Sequence, residues 1–424
     1  MSIKLDIDSG LLYLFSGNFI APFILSELGD LSVIKARAIW LAPGLDHPVY
    51  KRFADFFCEL FEHFEALDYR AIYLKEGQVA LERQIESWVK KWKPQLALFS
   101  QFPNSYSYLT PEFLARLRKC TTVTGFGFDD EIYFEQAKWF YQSCSAVITT
   151  DIAGSEWLKQ LGIPAYLAQM QQPQPKRAAP PVLEDIPVSF VGDMSKPGRR
   201  KYVEHLQSHG IPVLEFGLSS RGGKITDSQV FDVFSRSKIN LNFTGTNPPK
   251  WILREDPLRV RFGQIKGRPF ELAEMGKFCL CEWSPCVDYW FQSDVEIGVF
   301  RNPDDLVCQV RRFLNDDSLR HRIITSCRER YESDLAPTVQ FTRLFNAILS
   351  QKTNLVLGAV MTSSRVFYYS MGRSRGIAML YALCRMSPLR AMQECFSPWS
   401  THKGYWKGLF DAVIETLKYR LFKL

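Results

Sequence analysis

What the 424-residue chain lacks narrows its class first. Ten cysteines are too few for a disulfide scaffold at this length, and their spacings give no zinc signature. Cys279, Cys281 and Cys286 cluster, but no C-x-x-C pair or suitably spaced histidine accompanies them. They read as buried strand thiols, a usage that fits a reducing cytosol. Long apolar runs are missing as well. The stretch from Leu11 to Leu25 is interrupted by Ser16, Gly17 and Asn18 and is too short to span a bilayer. Asp6 and Asp8 precede it where a signal peptide would carry positive charge, so it reads as the first buried elements of the fold. No transmembrane helix is expected. There is no Walker or Rossmann fingerprint, no D-x-D in a suitable loop and no recognised nucleic-acid-binding module. Net charge is absent from residues 1–354, which sum to zero, so the whole excess of +7 lies in the last 70 residues.

What is present is apolar. The chain is 46% hydrophobic and 14% aromatic, ample for buried cores, and its length suggests two domains with an appendage. "KARAIWLAP" (35–43) reads as a strand ending at the Pro-Gly turn "PGLDHP". A helical stretch follows, with Phe53, Phe56, Phe57, Leu60, Phe61 and Phe64 at spacings of three and four. "YRAIYL", "KPQLALFSQF", "TTVTGFGFDD" and "SAVITTD" read as further strands, separated by helical patterns. Such alternation predicts a parallel sheet with crossover helices, ending near Met170. "QQPQPKRAAPP" (171–181) has four prolines in eleven residues and no apolar period, and predicts a linker over 171–186. A second alternation follows: "IPVSFVGDM", "IPVLEFG", "KINLNFTG" and "DVEIGVFRN" as strands, with "GRRKYVEHLQSHG" as a helix. The expected layout is an α/β domain over 1–170, a second over 187–350, and a basic helical tail over 351–424. Ligands in such domains sit at the carboxyl ends of the strands, here in a cleft between two sheets.

"FVGDMSKPGRRKYVEHLQSHGI", "KINLNF", "IKGRPFELAEMGKFCLCEW", "VDYWFQSDVEIGVFRNPDDL" and "RRFLNDDSLRHRI" together resemble the C-terminal half of GT-B glycosyltransferases. More narrowly, they resemble the spore-maturation CgeB-like group. "KPQLALFSQF", "TPEFLARLRK", "VTGFGFDDEIYF" and "VITTDIAGSEWLKQLGI" are similar to that group's first domain, so the resemblance spans about residues 35–350. It implies two Rossmann-like domains facing a cleft, the N-terminal one for an acceptor and the C-terminal one for a nucleotide-sugar donor. It also implies that Glu271, at a helix start, binds the ribose hydroxyls. A carboxylate suits that task, because it accepts from two neighbouring hydroxyls. The cations Lys266 and Arg268 and the free N–H groups of the helix start would favour the diphosphate. The resemblance has one departure. Many retaining members carry a second glutamate eight residues upstream, where this chain has Gly263.

"GDMSKPGRR" supplies the other phosphate candidates. Gly192 permits close backbone approach, and Arg199 or Arg200 offers bidentate donors; the alternative is ordinary solvated charge on a helix's first turn. For catalysis, Asp46 and His47 follow the first clear strand, and either would serve as general base for an acceptor hydroxyl. Asp129 and Asp130 follow another strand, flanked by Phe126 and Phe128 as stacking candidates; an Asp-Asp pair there is also a common helix cap. With basic residues available for the diphosphate, no cofactor and no metal requirement are expected. His63, His205, His209 and His321 lie in helical patterns and read as surface residues.

In the tail, "GYWKGLFDAVIETLKYRLFKL" sets Trp406, Leu409, Phe410, Val413, Leu417 and Leu421 along one face, with Lys407, Lys418, Arg420 and Lys423 around it. That pattern fits an interfacial helix on an anionic membrane surface. It equally fits a helix crossing back onto the N-terminal domain. The expectation is a cytoplasmic protein, peripheral on the inner membrane face if the first holds. Its expected reaction is transfer of a sugar to a glycan or lipid-linked acceptor hydroxyl. A nucleotide-sugar epimerase and a non-catalytic nucleotide-sugar or glycan-binding protein are the alternatives, and nucleic acid is not an expected partner.

Overall fold

The computed structural model describes residues 2–6, 11–15, 33–101, 108–169, 183–245, 263–351 and 365–421; for 2–6 and 11–15 only the backbone pairing is described. The Pro-rich run expected as a linker lies outside them. Strands β1 (Ser2–Asp6) and β2 (Leu11–Phe15) form an antiparallel hairpin. The first large sheet contains β3 (Ile34–Ala42), β4 (Phe61–Asp68), β5 (Leu96–Ser100), β6 (Thr122–Gly127), β7 (Ala146–Thr149) and β8 (Ala165–Leu167). All are parallel, in the order β4-β3-β5-β6-β7-β8. The second contains β9 (Ile186–Val191), β10 (Leu214–Phe216), β11 (Ser237–Asn242), β12 (Cys279–Glu282) and β13 (Gly298–Phe300), parallel in the order β10-β9-β11-β12-β13. These are the two Rossmann-like parallel-sheet domains of the expected GT-B architecture, with a helical C-terminal region.

The sheets form because their strands are buried on both faces, as parallel strands covered by crossover helices must be. Alternate residues of β3 serve two cores. Ile39 and Leu41 join Phe99, Val123 and Val147 under helices Tyr69–Glu76, Gln78–Trp92 and Asp130–Tyr141. Trp40 faces the other side with Leu98, Phe126 and Ile148, and its indole N–H donates to Ser100 Oγ on β5 at 2.9 Å. Helix Pro48–Leu60 covers that second face, aided by Phe341 and Phe345 from helix Pro337–Ser350. The chain therefore returns from the second sheet to close the core of the first. Phe126, a stacking candidate, is consumed in that core, edge-on to Trp40, Phe53 and Phe57.

One stretch departs from the sequence expectation. The aromatic spacing from Phe53 onward predicts a helix running through Phe64, and "YRAIYL" a strand. The helix instead ends at Leu60, Phe61–Asp68 is β4, and Tyr69–Glu76 is helical. Asp68 caps that helix through Ala71 N–H at 2.9 Å, and Gly77 ends it at φ 87°. Phe61 and Phe64 continue the helical phase by coincidence; they pack on Phe345 and Phe57 as strand residues. His63 is accordingly on a strand.

The tail helices Arg365–Cys384, Pro388–Cys395 and Lys403–Leu421 pack on the first core through Phe367, Met371, Ala378, Tyr405 and Leu409. Gly372 and Gly408 let two of them approach backbone to backbone. A Cβ on either would collide with the carbonyl of Tyr405 or of Tyr369 respectively. The single apolar face expected on the last helix is split. Leu409 is buried with Tyr405 and Ala412, while Phe410 and Leu417 are exposed. Among the described residues no helix is long and apolar enough to cross a membrane.

Candidate functional site

Both sheets reverse their strand order beside their first strands, β3 and β9, and the loops leaving the carboxyl ends of β6 and β7 meet the second domain where Asp129 and Asp151 accept from Gln264. In the second domain β9 runs into Gly192, whose missing side chain is required. A Cβ would sit 2.7 Å from the Phe190 ring and 3.3 Å from Arg199 Nη1. Asp193 then folds the loop, accepting from the Ser195 amide at 2.9 Å and the Ser195 hydroxyl at 2.7 Å. This turn carries Lys196 and delivers Arg199 at the start of helix Arg199–Ser208.

Arg199 is 8% exposed, lies over the Phe190 ring, and donates from Nη1 to the Asp193 carbonyl at 3.0 Å; its buried Nε–H has no hydrogen-bond partner among the described residues. Arg200 differs. It donates to the Ser219 carbonyl at 2.6 Å. Burial, then the charges of Lys266 and Arg199, hold the Lys196 ammonium below the usual lysine range, with Asp129 and Asp193 pulling the other way. Burial, opposed by Asp193 and Glu282 and aided by Arg268, likewise lowers Arg199. Lys196, Arg199, Lys266 and Arg268 thus lie close enough to feel one another's charge. Carboxylates lie among them, Asp129 by Lys266 and Glu271 by Arg268, so an arriving anion would compete with these for the cations.

The segment 263–271 supplies the other half. Gly263 is packed where any Cβ would meet Thr244 Oγ1 at 2.7 Å and Ser284 Cβ at 2.9 Å, so no side chain fits at that position. Gln264 N donates to the Thr244 carbonyl at 2.8 Å, pinning the segment to the loop after β11. That loop is held in turn by Glu282 at the end of β12, whose Oε2 accepts from Thr244 N at 2.9 Å. Helix Arg268–Glu274, only two turns long, starts with Pro269 in its first turn. Arg268 lies over the Phe234 ring and pairs with Glu271 Oε2 at 3.1 Å, both side chains largely buried. Glu271 is therefore held beside the cation cluster, its carboxylate steadied by one arginine.

The opposite wall comes from the first domain. Asp129 sits at the end of β6 in a left-handed conformation (φ 54°, ψ 38°), uncommon for a non-glycine residue. Its Oδ1 accepts from Gln264 Nε2 at 3.0 Å and lies 3.4 Å from Lys266 Nζ. Gln264 Nε2 also donates to Asp151 Oδ1 at 3.1 Å, just beyond the end of β7. Asp130 lies behind, 1% exposed, accepting from the Tyr141 hydroxyl at 2.8 Å. Burial pushes its carboxyl up to about 7; the Thr149 and Tyr141 hydroxyls oppose this, and the Asp151 and Asp129 charges add to it. Asp46 and His47 are exposed at the other strand-end loop, where His47 Nδ1 caps helix Pro48–Leu60 through Val49 N–H at 3.3 Å. Among the described residues no group of three histidine, cysteine or carboxylate side chains is placed to hold a metal ion.

The structure thus brings together Gly192, Arg199, Lys266, Arg268, Glu271 and Asp129, buries Asp130 beneath them, sets Arg200 and His47 in other contacts, and leaves Asp46 exposed. Sequence reasoning passed over Lys196, Glu282, Gln264 and Asp151. Lys196 stood inside a quoted loop, and Glu282 ends a buried strand where a carboxylate is a visible signal. Nothing in the sequence pairs Gln264 with Asp151.

Residues 179–344, under half of the chain, match a family model described as glycosyl transferase-like. No curated protein matches the chain. Among solved structures it is similar to TarM, at 12% identity and TM-score 0.46, over 64% of this chain and 58% of that one. The chain thus spans a little over half of TarM's length. It is similar to the lipopolysaccharide outer core galactosyltransferase WaaB in its apo form, at 14% identity and TM-score 0.48, over 74% of this chain and 99% of that one. It is also similar to HepE of Anabaena in complex with UDP and glucose, at 10% identity and TM-score 0.48, with the same two coverages.

Proposed function

We propose that the protein is a glycosyltransferase of the CgeB-like type, moving a sugar from a nucleoside-diphosphate sugar to an acceptor hydroxyl in the cleft. The observation that carries this reading is the cluster of Lys196, Arg199, Lys266 and Arg268, with Glu271 beside it and Asp129 opposite. Four cations suit a diphosphate, whose charge grows as the bond to the sugar breaks. Glu271 would accept from the ribose hydroxyls, within reach of a diphosphate held by its partner Arg268. The cations would do the work that a divalent ion does elsewhere, so activity is expected without added metal.

In the transfer step the acceptor oxygen forms a bond to the anomeric carbon. The bond from that carbon to the diphosphate oxygen breaks, and the nucleoside diphosphate leaves with the electron pair. The acceptor's proton passes to a carboxylate of the first domain. Asp129 is the one that faces the cation cluster, and we assign it that role. The Asp129–Lys266 pair, with the Arg52–Asp227 ion pair at 2.7 Å, brings the domains together and would keep water from the donor. We take the acceptor to be a glycan or lipid-linked hydroxyl on the cytoplasmic side of a membrane.

The test is a thermal-shift panel with UDP, GDP, TDP, ADP and CMP, each with and without magnesium. One nucleotide should raise the unfolding midpoint, because a ligand bound only by the native state stabilises it by mass action. Glu271→Ala should remove most of that shift while leaving the unliganded midpoint close to the parent's. An unchanged shift would rule out the ribose assignment, and a nucleotide bound without turnover of any sugar donor would favour the non-catalytic alternative.

A further inference from the structure

The last helix of the tail buries one face and exposes another that is just as apolar. Tyr405, Leu409 and Ala412 point into the first core, while Phe410, Ile414 and Leu417, at spacings of four and three, face outward. The short helix before it shows the same outward bias through Leu389, Met392 and Phe396. The two strips are one surface. The Phe396 ring, 67% exposed, lies 6.0 Å from the Trp406 ring, which lies 6.3 Å from the ring of Phe410, itself 57% exposed. A continuous apolar face of this kind on a folded protein marks an interaction site.

Its charge is of one sign. The segment 355–424 has ten cations and three carboxylates. Each carboxylate is engaged by a partner: Glu394 is buried against Arg375 at 2.8 Å, Glu415, itself exposed, holds Arg373 at 2.6 Å, and Asp411 accepts from the Tyr369 hydroxyl at 2.7 Å. Lys403 and Lys407 are exposed two turns ahead of Phe410 and Ile414 respectively, and Lys418 follows Leu417. A second copy of the chain, docked about a two-fold axis, would bring these lysines toward one another. An anionic bilayer meets both features, taking the aromatic rings at the headgroup level and pairing the ammonium groups with lipid phosphates.

We propose that the outward face Leu389–Met392–Phe396–Trp406–Phe410–Ile414–Leu417, flanked by Lys403, Lys407 and Lys418, docks the protein on an anionic membrane surface without spanning it. The proposal uses none of the residues of the donor site, so either can fail alone.

Full-length protein should co-float with vesicles of phosphatidylcholine mixed with phosphatidylglycerol, and much less with phosphatidylcholine alone. Phe396→Ser/Phe410→Ser should lower partitioning at least about tenfold, and Lys403→Gln/Lys407→Gln by roughly fivefold or more, with the remaining binding less sensitive to salt. Both pairs point to solvent, so their unfolding midpoints and nucleotide shifts should match the parent's. If the phenylalanine pair lowers the midpoint, Leu389→Ser/Met392→Ser takes its place. Absence of flotation by the folded parent, or flotation unchanged in both variants, would overturn the proposal. So would a dimer in light scattering that the phenylalanine pair dissolves.

Discussion

Lys196→Gln should move two measurements in opposite directions. In the empty protein Lys196 is half-buried among Arg199 and Lys266, and burial plus those charges disfavour its ammonium. A base whose folded pKa lies below its unfolded value binds fewer protons when folded. Its protonated form therefore costs stability at neutral pH, and that cost fades as pH rises through the lowered pKa. Removing the charge should leave the unfolding midpoint unchanged or slightly higher. A nucleoside diphosphate reverses the balance, because its phosphates turn mutual repulsion into shared attraction. A hydrogen bond to a charged group is worth about 1.5–3 kcal/mol, and partial exposure brings Lys196 to about 1–2 kcal/mol. The dissociation constant for the nucleotide giving the largest thermal shift should therefore rise roughly 5–30-fold in titration calorimetry.

Arg200→Gln is the comparator, since Arg200 adjoins Arg199 in sequence but spends its guanidinium on the Ser219 carbonyl. Its affinity should stay within about twofold of the parent's. A Lys196→Gln protein that loses stability and keeps its affinity would refute the reasoning, because Lys196 would then be a structural cation. Equal losses in the two variants would refute it in another way, as a general field effect without a site.

Asp130, raised from 3.8 to about 7, holds a proton in the folded state that the unfolded chain has released. Stability should therefore fall as pH rises from about 4 to about 7 and level off above, by on the order of 4 kcal/mol at most. Asp130→Asn keeps an acceptor for Tyr141 and should flatten that part of the midpoint-against-pH curve; a slope equal to the parent's would assign it to other groups. Gly263→Glu should destabilise by about 1–3 kcal/mol through the collisions with Thr244 and Ser284, read as a lower denaturant midpoint. An unchanged midpoint would mean that the segment can shift to admit a side chain.

The parts of this molecule that were legible in sequence are those set by local burial. β3, β5, β7, β9, β11 and β12 announce themselves as short apolar runs because both faces are covered. β4 did not, because its aromatics kept the phase of the helix before it with no turn residue between; Asp68 and Gly77, the caps of the next helix, were the available signals. The tail's helices were legible, but not which arc they bury, because the closest approach runs through glycines that carry no hydrophobic signal. The site divides in the same way. Glycines, arginines and carboxylates at strand ends could be picked out one by one, whereas their pairing could not. Asp129 meets Gln264 and Lys266 across 135 and 137 residues, and Gln264 meets Asp151 across 113.

Those unreadable pairs are where the two halves of the chemistry meet. The Lys266–Asp129 pair is about 40% exposed on both sides and is worth at most about 1 kcal/mol. A diphosphate brings more charge to Lys266 than one carboxylate does, so it should win the lysine. Asp129 Oδ1 would then be free of the ammonium and open to an acceptor hydroxyl when a donor is in place. Gln264 keeps the carboxylate positioned meanwhile, because its amide carries no charge for the diphosphate to attract. On this argument the acceptor hydroxyl meets the carboxylate only when a sugar is available to receive its oxygen. The device needs no moving part beyond one lysine side chain.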